Sequence, residues 1–178
     1  VLCKESYHHF PRPYIALNEL MRVCRKGVLL IEPRDRKIDK GQFGFLVELI
    51  NRLFGLNIFD SSHGFEPVGN YAYSISQREM EKFQLGMHRQ HLALCGIKDY
   101  YQPGYEFVKV NDRSITNKLK IFKFWLVIAM KGLAERLLIT KSGLLITVLF
   151  KVDPDQVVKE QLRRKGYRVL VLPKNPYI

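Results

Sequence analysis

Val1-Leu2-Cys3-Lys4-Glu5, then Ser6-Tyr7-His8-His9-Phe10-Pro11-Arg12-Pro13, and, after a helical stretch closing on Lys26-Gly27, Val28-Leu29-Leu30-Ile31-Glu32-Pro33-Arg34-Asp35, decide how this chain folds. Between Pro13 and Lys26 the apolar residues Ile15, Leu17, Leu20, Met21 and Val23 keep a helical spacing, and Gly27 is the expected C-cap. Val28 to Ile31 is a continuous apolar run, the pattern of a central parallel strand covered on both faces. The unit therefore reads as strand, loop, helix, strand. Such a parallel pair places its ligand-facing residues in the loops at the carboxyl ends of its strands, here Glu5, His8, His9, Glu32 and Arg34.

Working outward, Arg36 to about Lys141 has a mainly helical pattern. Phe43 to Phe54 is apolar at a 3.6-residue period, Ser76-Gln77-Arg78-Glu79 is a capping box opening a helix to about His91, and Thr116 to Leu138 predicts another helix around Trp125. Asp60 to Tyr73 reads as loop, and Pro103-Gly104 as a turn. Leu144 to Val152 predicts a strand, Asp153-Pro154 a capped helix through Lys165, and Arg168 to Leu172 a last strand. Three parts follow: a core over 1–35, a helical cap or insertion over 36–141, and a terminal strand–helix–strand over 142–178 that completes the sheet. The expected class is α/β, a partial doubly wound, Rossmann-like sheet with a helical cap. A long insertion of this kind covers a ligand crevice.

A chain of 178 residues can bury a sizeable core, and its net charge of +12 favours anionic partners unless a longer protein supplies compensating acids. Cys3, Cys24 and Cys95 are isolated, with no CxxC pair, so neither a zinc knuckle nor a disulfide framework is suggested. Reduced thiols in a cytoplasmic protein are the expectation. The most apolar stretch, Ile121 to Met130, contains Lys123 and falls short of the about 20 residues a bilayer span takes. The start in mid-strand predicts the carboxyl-terminal part of something longer.

The run from Val1 to Phe10, with Ala16-Leu17-Asn18-Glu19-Leu20-Met21-Arg22-Val23 and Lys26-Gly27-Val28-Leu29-Leu30-Ile31-Glu32-Pro33, resembles the fourth strand, its helix and the fifth strand of class I S-adenosylmethionine-dependent methyltransferases. The stretch from Glu66 to Glu79 is similar to the cap region of a bacterial branch of that superfamily. The resemblance implies S-adenosyl-L-methionine as cofactor and a methyl acceptor that is a small molecule or sugar-like group. It places Cys3, Lys4, Glu5 and Ser6 beside the methionine end of the cofactor, mainly through backbone groups. Two features depart from the superfamily. No Gly-x-Gly-x-Gly turn is present, since Gly41-Gln42-Phe43-Gly44 lacks a preceding strand of the right kind, and a helix separates the last two strands where a hairpin is usual. The 178 residues are therefore expected to bind cofactor weakly or not at all.

His8 and His9 are the candidate catalytic residues. A histidine facing the crevice suits a general base at neutral pH, whereas a structural hydrogen bond, or a metal site with Glu5 and His63, are the other readings. The spacing matches no metal motif, so no metal is assigned. Adjacent histidines in an extended loop are expected to diverge, one into the crevice and one into the fold. Glu32 and Arg34 are candidates for orienting substrate, or else form an ion pair. Tyr71 and Tyr73 are candidate lid aromatics or cap core, as are Tyr100 and Tyr101. Lys118, Lys120, Lys123 and Lys131 read as a solvated helix face, and Phe122, Phe124 and Trp125 as core, so a nucleic-acid surface is not favoured. A basic binding module for an anionic partner and a different Rossmann-like enzyme, such as a nucleotide-dependent dehydrogenase, are the alternatives.

Overall fold

A computed structural model describes residues 1–35, 38–39, 64–65, 69–98, 111, 114–137 and 141–177. The helix expected over Phe43–Phe54, the Gly41–Gly44 loop, His63, Glu66–Val68, Tyr100, Tyr101 and the Pro103-Gly104 turn lie outside them. In chain order the elements are β1 (Leu2–Lys4), a single 3-10 turn (Tyr7–His9), α1 (Pro13–Val23), β2 (Gly27–Pro33), α2 (Gln77–Gly86), β3 (His91–Ile97), α3 (Ile115–Arg136), β4 (Leu144–Phe150), α4 (Gln156–Arg164) and β5 (Arg168–Val171). The class is mixed α/β. Five strands form one sheet in the order β1-β2-β4-β3-β5, in which β1 and β2 run parallel and every other pair antiparallel.

Alternation along the strands sets the core. Val28, Leu30 and Glu32 of β2 and Leu145, Thr147 and Leu149 of β4 point to one face, in register with Leu92 and Leu94 of β3. Leu17 and Met21 of α1 and Met80 and Phe83 of α2 close over that face. The two helices bury these residues because they recur at helical spacing on one side. The opposite face of β2 is only half-buried, so the strand expected to be covered equally on both faces is one-sided.

Helix α1 stops at Val23, with Cys24 already extended, and Gly27 opens β2 with no C-cap role. The glycine is needed for another reason: a Cβ there would overlap the Leu149 carbonyl of the neighbouring strand. Lys151 Nζ then donates to the Arg22 and Cys24 carbonyls at 2.8 and 2.9 Å, closing the end of α1. At α2 the capping box forms as its sequence predicts. Ser76 Oγ accepts from the Glu79 N–H, and Glu79 Oε2 accepts from the Ser76 N–H.

The helix from Gln77 ends at Gly86 rather than near His91, because His88 turns left-handed (φ 55°) and the Arg89 N–H donates back to the Gln84 carbonyl. Residues 91–97, placed by sequence within a helical insertion over 36–141, form β3 and pair with both β4 and β5. The terminal unit is also split: β4 sits in the middle of the sheet, and only β5 lies at its edge.

Candidate functional site

The site grows from the alternation of β2. Continuing the inward face past Val28 and Leu30 puts Glu32 at its carboxyl end, fully buried. A buried carboxylate is costly unless its oxygens are hydrogen-bonded. Here they are. Oε1 accepts from the Ser6 and Tyr7 backbone N–H groups at 3.1 and 3.0 Å and from the Cys3 thiol at 3.8 Å. Oε2 lies 2.6 Å from His8 Nδ1. The 3-10 turn after β1 exists to make this arrangement. Glu5 leaves the strand with φ 46°, which aims the following two N–H groups at the carboxylate and lifts His8 onto it.

An ionised Glu32 can only accept, and His8 Nδ1 is then the donor of the shared hydrogen bond; a neutral ring in that arrangement has its Nε2 unprotonated. That is the tautomer a general base needs, oriented by a second group. The His8 side chain is about one-tenth exposed, whereas Glu32 is not exposed at all. His9 is exposed and its ring centroid lies 4.1 Å from that of His8. The two histidines therefore do not diverge, because the backbone is a tight turn and not an extended loop.

A second segment holds the turn from above. The Tyr73 N–H donates to the His8 carbonyl at 3.0 Å, and Tyr73, Tyr71 and Phe65 stack edge to face at 4.9 and 5.3 Å. Gly64 makes this cluster possible: its φ is +82°, and a Cβ would come within 2.7 Å of the Tyr71 ring. Tyr71 is about half exposed and Tyr73 less so, which leaves the aromatic cluster at the surface next to His8. Beneath the turn, Tyr7 is buried, and burial first, then the neighbouring Tyr14, Glu79 and Glu32, push its hydroxyl pKa well above the ordinary tyrosine value. Tyr14 is raised too, by burial and then by the charge and hydrogen bond of Glu79.

The remaining expected residues separate into groups. Cys3 is buried with Sγ 3.2 Å from Ser6 Oγ, while Lys4 and Glu5 are exposed at the lip of β1 and pair at 3.8 Å. Glu32 is fully buried, and the partners of its carboxylate are Cys3, Ser6, Tyr7 and His8. Arg34 goes elsewhere. Its side chain is nine-tenths buried, with Nη1 3.4 Å from Asp39 Oδ2 and Nη2 3.5 Å from Ser142 Oγ. Burial lowers its pKa, against the opposing pull of Asp39. Asp39 also accepts from the Gln77 N–H at 3.2 Å, so this ion pair ties the end of β2 to the start of α2. Asp39 and Ser142 carry no sequence signal that would have found them. No family model, curated protein or solved structure matches the chain. Among the described residues, no cluster of three or more His, Cys, Asp or Glu is arranged to hold a metal, and no helix is long and apolar enough to cross a membrane.

Proposed function

We propose that this chain forms part of the cleft of a class I S-adenosylmethionine-dependent methyltransferase that acts on a small-molecule or sugar-like acceptor. The observation that carries the reading is the His8–Glu32 pair, set at the shared carboxyl end of the parallel strands β1 and β2. In open α/β sheets that end is where ligands bind. The antiparallel pair β3–β4 also supports it, standing beside β2 where the superfamily closes its sheet with a hairpin, with α3 in the connection and β5 added outside.

The fit to the cofactor is confined to its amino-acid end. The exposed Lys4 ammonium and Glu5 carboxylate match the opposite charges of a zwitterionic amino acid, whereas no Gly-rich turn after a strand occurs among the described residues. S-adenosyl-L-methionine supplies a methyl group made electrophilic by its sulfonium. This chain's share is positioning and proton removal. His8 Nε2 takes the proton of an acceptor hydroxyl or amine, and the imidazolium so formed sits 2.6 Å from the Glu32 carboxylate, which stabilises it. The Tyr73 N–H keeps the turn in place, and the rings of Tyr73 and Tyr71 stand beside it at the surface.

Titrating S-adenosylhomocysteine into the isotope-labelled protein while following backbone amides tests this. The amides of Cys3 to His9 are expected to shift, with a dissociation constant near about 1 mM, equivalent to about −4 kcal/mol. Shifts confined to other parts of the fold, or none at such concentrations, would overturn the assignment. Micromolar affinity would contradict the partial-cleft reading.

A further inference from the structure

Helix α3 leaves a second apolar side uncovered. Ile115, Leu119, Phe122, Leu126, Met130 and Leu133, with Leu137 just beyond its end, follow one another at steps of three or four residues, and every one of them is at least half exposed. At 1.5 Å per residue the 22-residue helix carries this stripe for about 33 Å. The opposite side, at Ile121, Phe124, Val127, Ile128 and Gly132, is the half-buried one. A Cβ at Gly132, on that half-buried side, would lie 3.3 Å from Lys98 Nζ just past β3, and the stripe is on the other side. Monomeric soluble proteins rarely expose a continuous apolar patch of this length without a partner for it.

Charge decides what the partner is. The helix carries Lys118, Lys120, Lys123, Lys131 and Arg136 against the single acid Glu135, in a chain of net charge +12. On the helical projection Lys118 and Arg136 border the stripe on one flank together with Trp125, and Lys123 borders it on the other; all four are exposed. A second copy would set two cationic helices side by side, with like charges along both borders. Nucleic acid would meet the lysines but has no use for a stripe built mostly of aliphatic side chains, since bases stack on aromatic faces. An anionic lipid surface satisfies both features. Acyl chains take the stripe, headgroups take the basic flanks, and an indole at the border sits at the interface.

We propose that α3 is an interfacial helix that docks this protein on anionic membrane surfaces, lying in the plane of the lipid and not spanning it. Trp125 is the chain's only tryptophan, so its fluorescence reports on α3 alone. Vesicles of phosphatidylcholine containing about one-third phosphatidylserine are expected to shift Trp125 emission to the blue and to float with bound protein. Pure phosphatidylcholine vesicles are expected to do neither, and raising the salt concentration weakens the binding. Leu119→Glu combined with Leu126→Glu, and separately Lys118→Glu combined with Lys123→Glu, should each lower the affinity at least tenfold. These positions are exposed, and unchanged far-ultraviolet circular dichroism verifies that the variants fold.

Absence of flotation and of the blue shift would overturn the proposal. So would binding that the Leu119 and Leu126 variants leave intact, or equal binding to neutral vesicles. A dimer by light scattering that Leu126→Glu dissociates, with no vesicle binding, would assign the stripe to a second copy instead. Salt-sensitive retention on an oligonucleotide column without vesicle binding would assign the basic flanks to nucleic acid and equally overturn it.

Discussion

Two histidine–carboxylate pairs stand at opposite ends of the sheet, and they differ in one respect. His8 Nδ1 lies 2.6 Å from Glu32, and His91 Nδ1 lies 2.7 Å from Asp153. Both histidine side chains are about one-tenth exposed, but Glu32 is fully buried and Asp153 is about two-thirds exposed. Glu32 accepts two further hydrogen bonds from the backbone of the turn it supports and one from the Cys3 thiol of β1, while Asp153 sits at the surface just before α4. Distance therefore does not distinguish a preorganised pair from a surface tether. The surroundings of the carboxylate do, because water competes for an exposed anion and cannot compete for a buried one.

The buried pair carries the largest expected effect. Glu32→Ala leaves His8 Nδ1 and two backbone N–H groups without their acceptor, and is expected to cost about 3 to 5 kcal/mol in urea unfolding. A loss below about 1 kcal/mol would put Glu32 on a level with Asp153. Next comes the buried phenol below the turn. Tyr7 has its folded-state pKa raised, so above pH about 10 the unfolded chain releases a proton that the folded chain retains, and stability falls as pH rises. The contribution of one such group is up to about 1.4 kcal/mol per pH unit, and it disappears in Tyr7→Phe. An identical alkaline slope in the variant would show that Tyr7 is not held in its neutral form. The smallest effect belongs to the exposed pair. Asp153→Ala is expected to change stability by less than about 1 kcal/mol in the same unfolding measurement.

Much of the fold was legible from local signals. Pro13 at the start of α1, the Ser76–Glu79 box, the apolar run of β2 and the strand, helix and strand from Leu144 onward all appear close to where their residues predict them. The sequence does not predict β3 although Leu92-Ala93-Leu94-Cys95 is an unbroken apolar run, because the helical pattern before it masks the left-handed turn at His88. The site was half legible. The sequence marks His8 as a titratable residue in the loop after β1, but nothing local shows which way a strand's last residues face, so Glu32 reads as a substrate-orienting residue or one half of an ion pair. Its phase with Val28 and Leu30 held the answer once the strand proved one-sided. Phe122 and Trp125 are exposed where the sequence predicts core for a related reason: a helix apolar on nearly every side gives no sign of which side is left over.

Glu32 is expected to set the His8 ring with its proton on Nδ1 and its Nε2 bare. Nitrogen-15 spectra of the imidazoles, recorded at a pH where the rings are neutral, test it most directly. The structure predicts a protonated Nδ1 and an unprotonated Nε2 for His8, with the preference lost in Glu32→Gln. A His8 that carries its proton on Nε2, or a tautomer unchanged by Glu32→Gln, would show that Glu32 does not orient the ring.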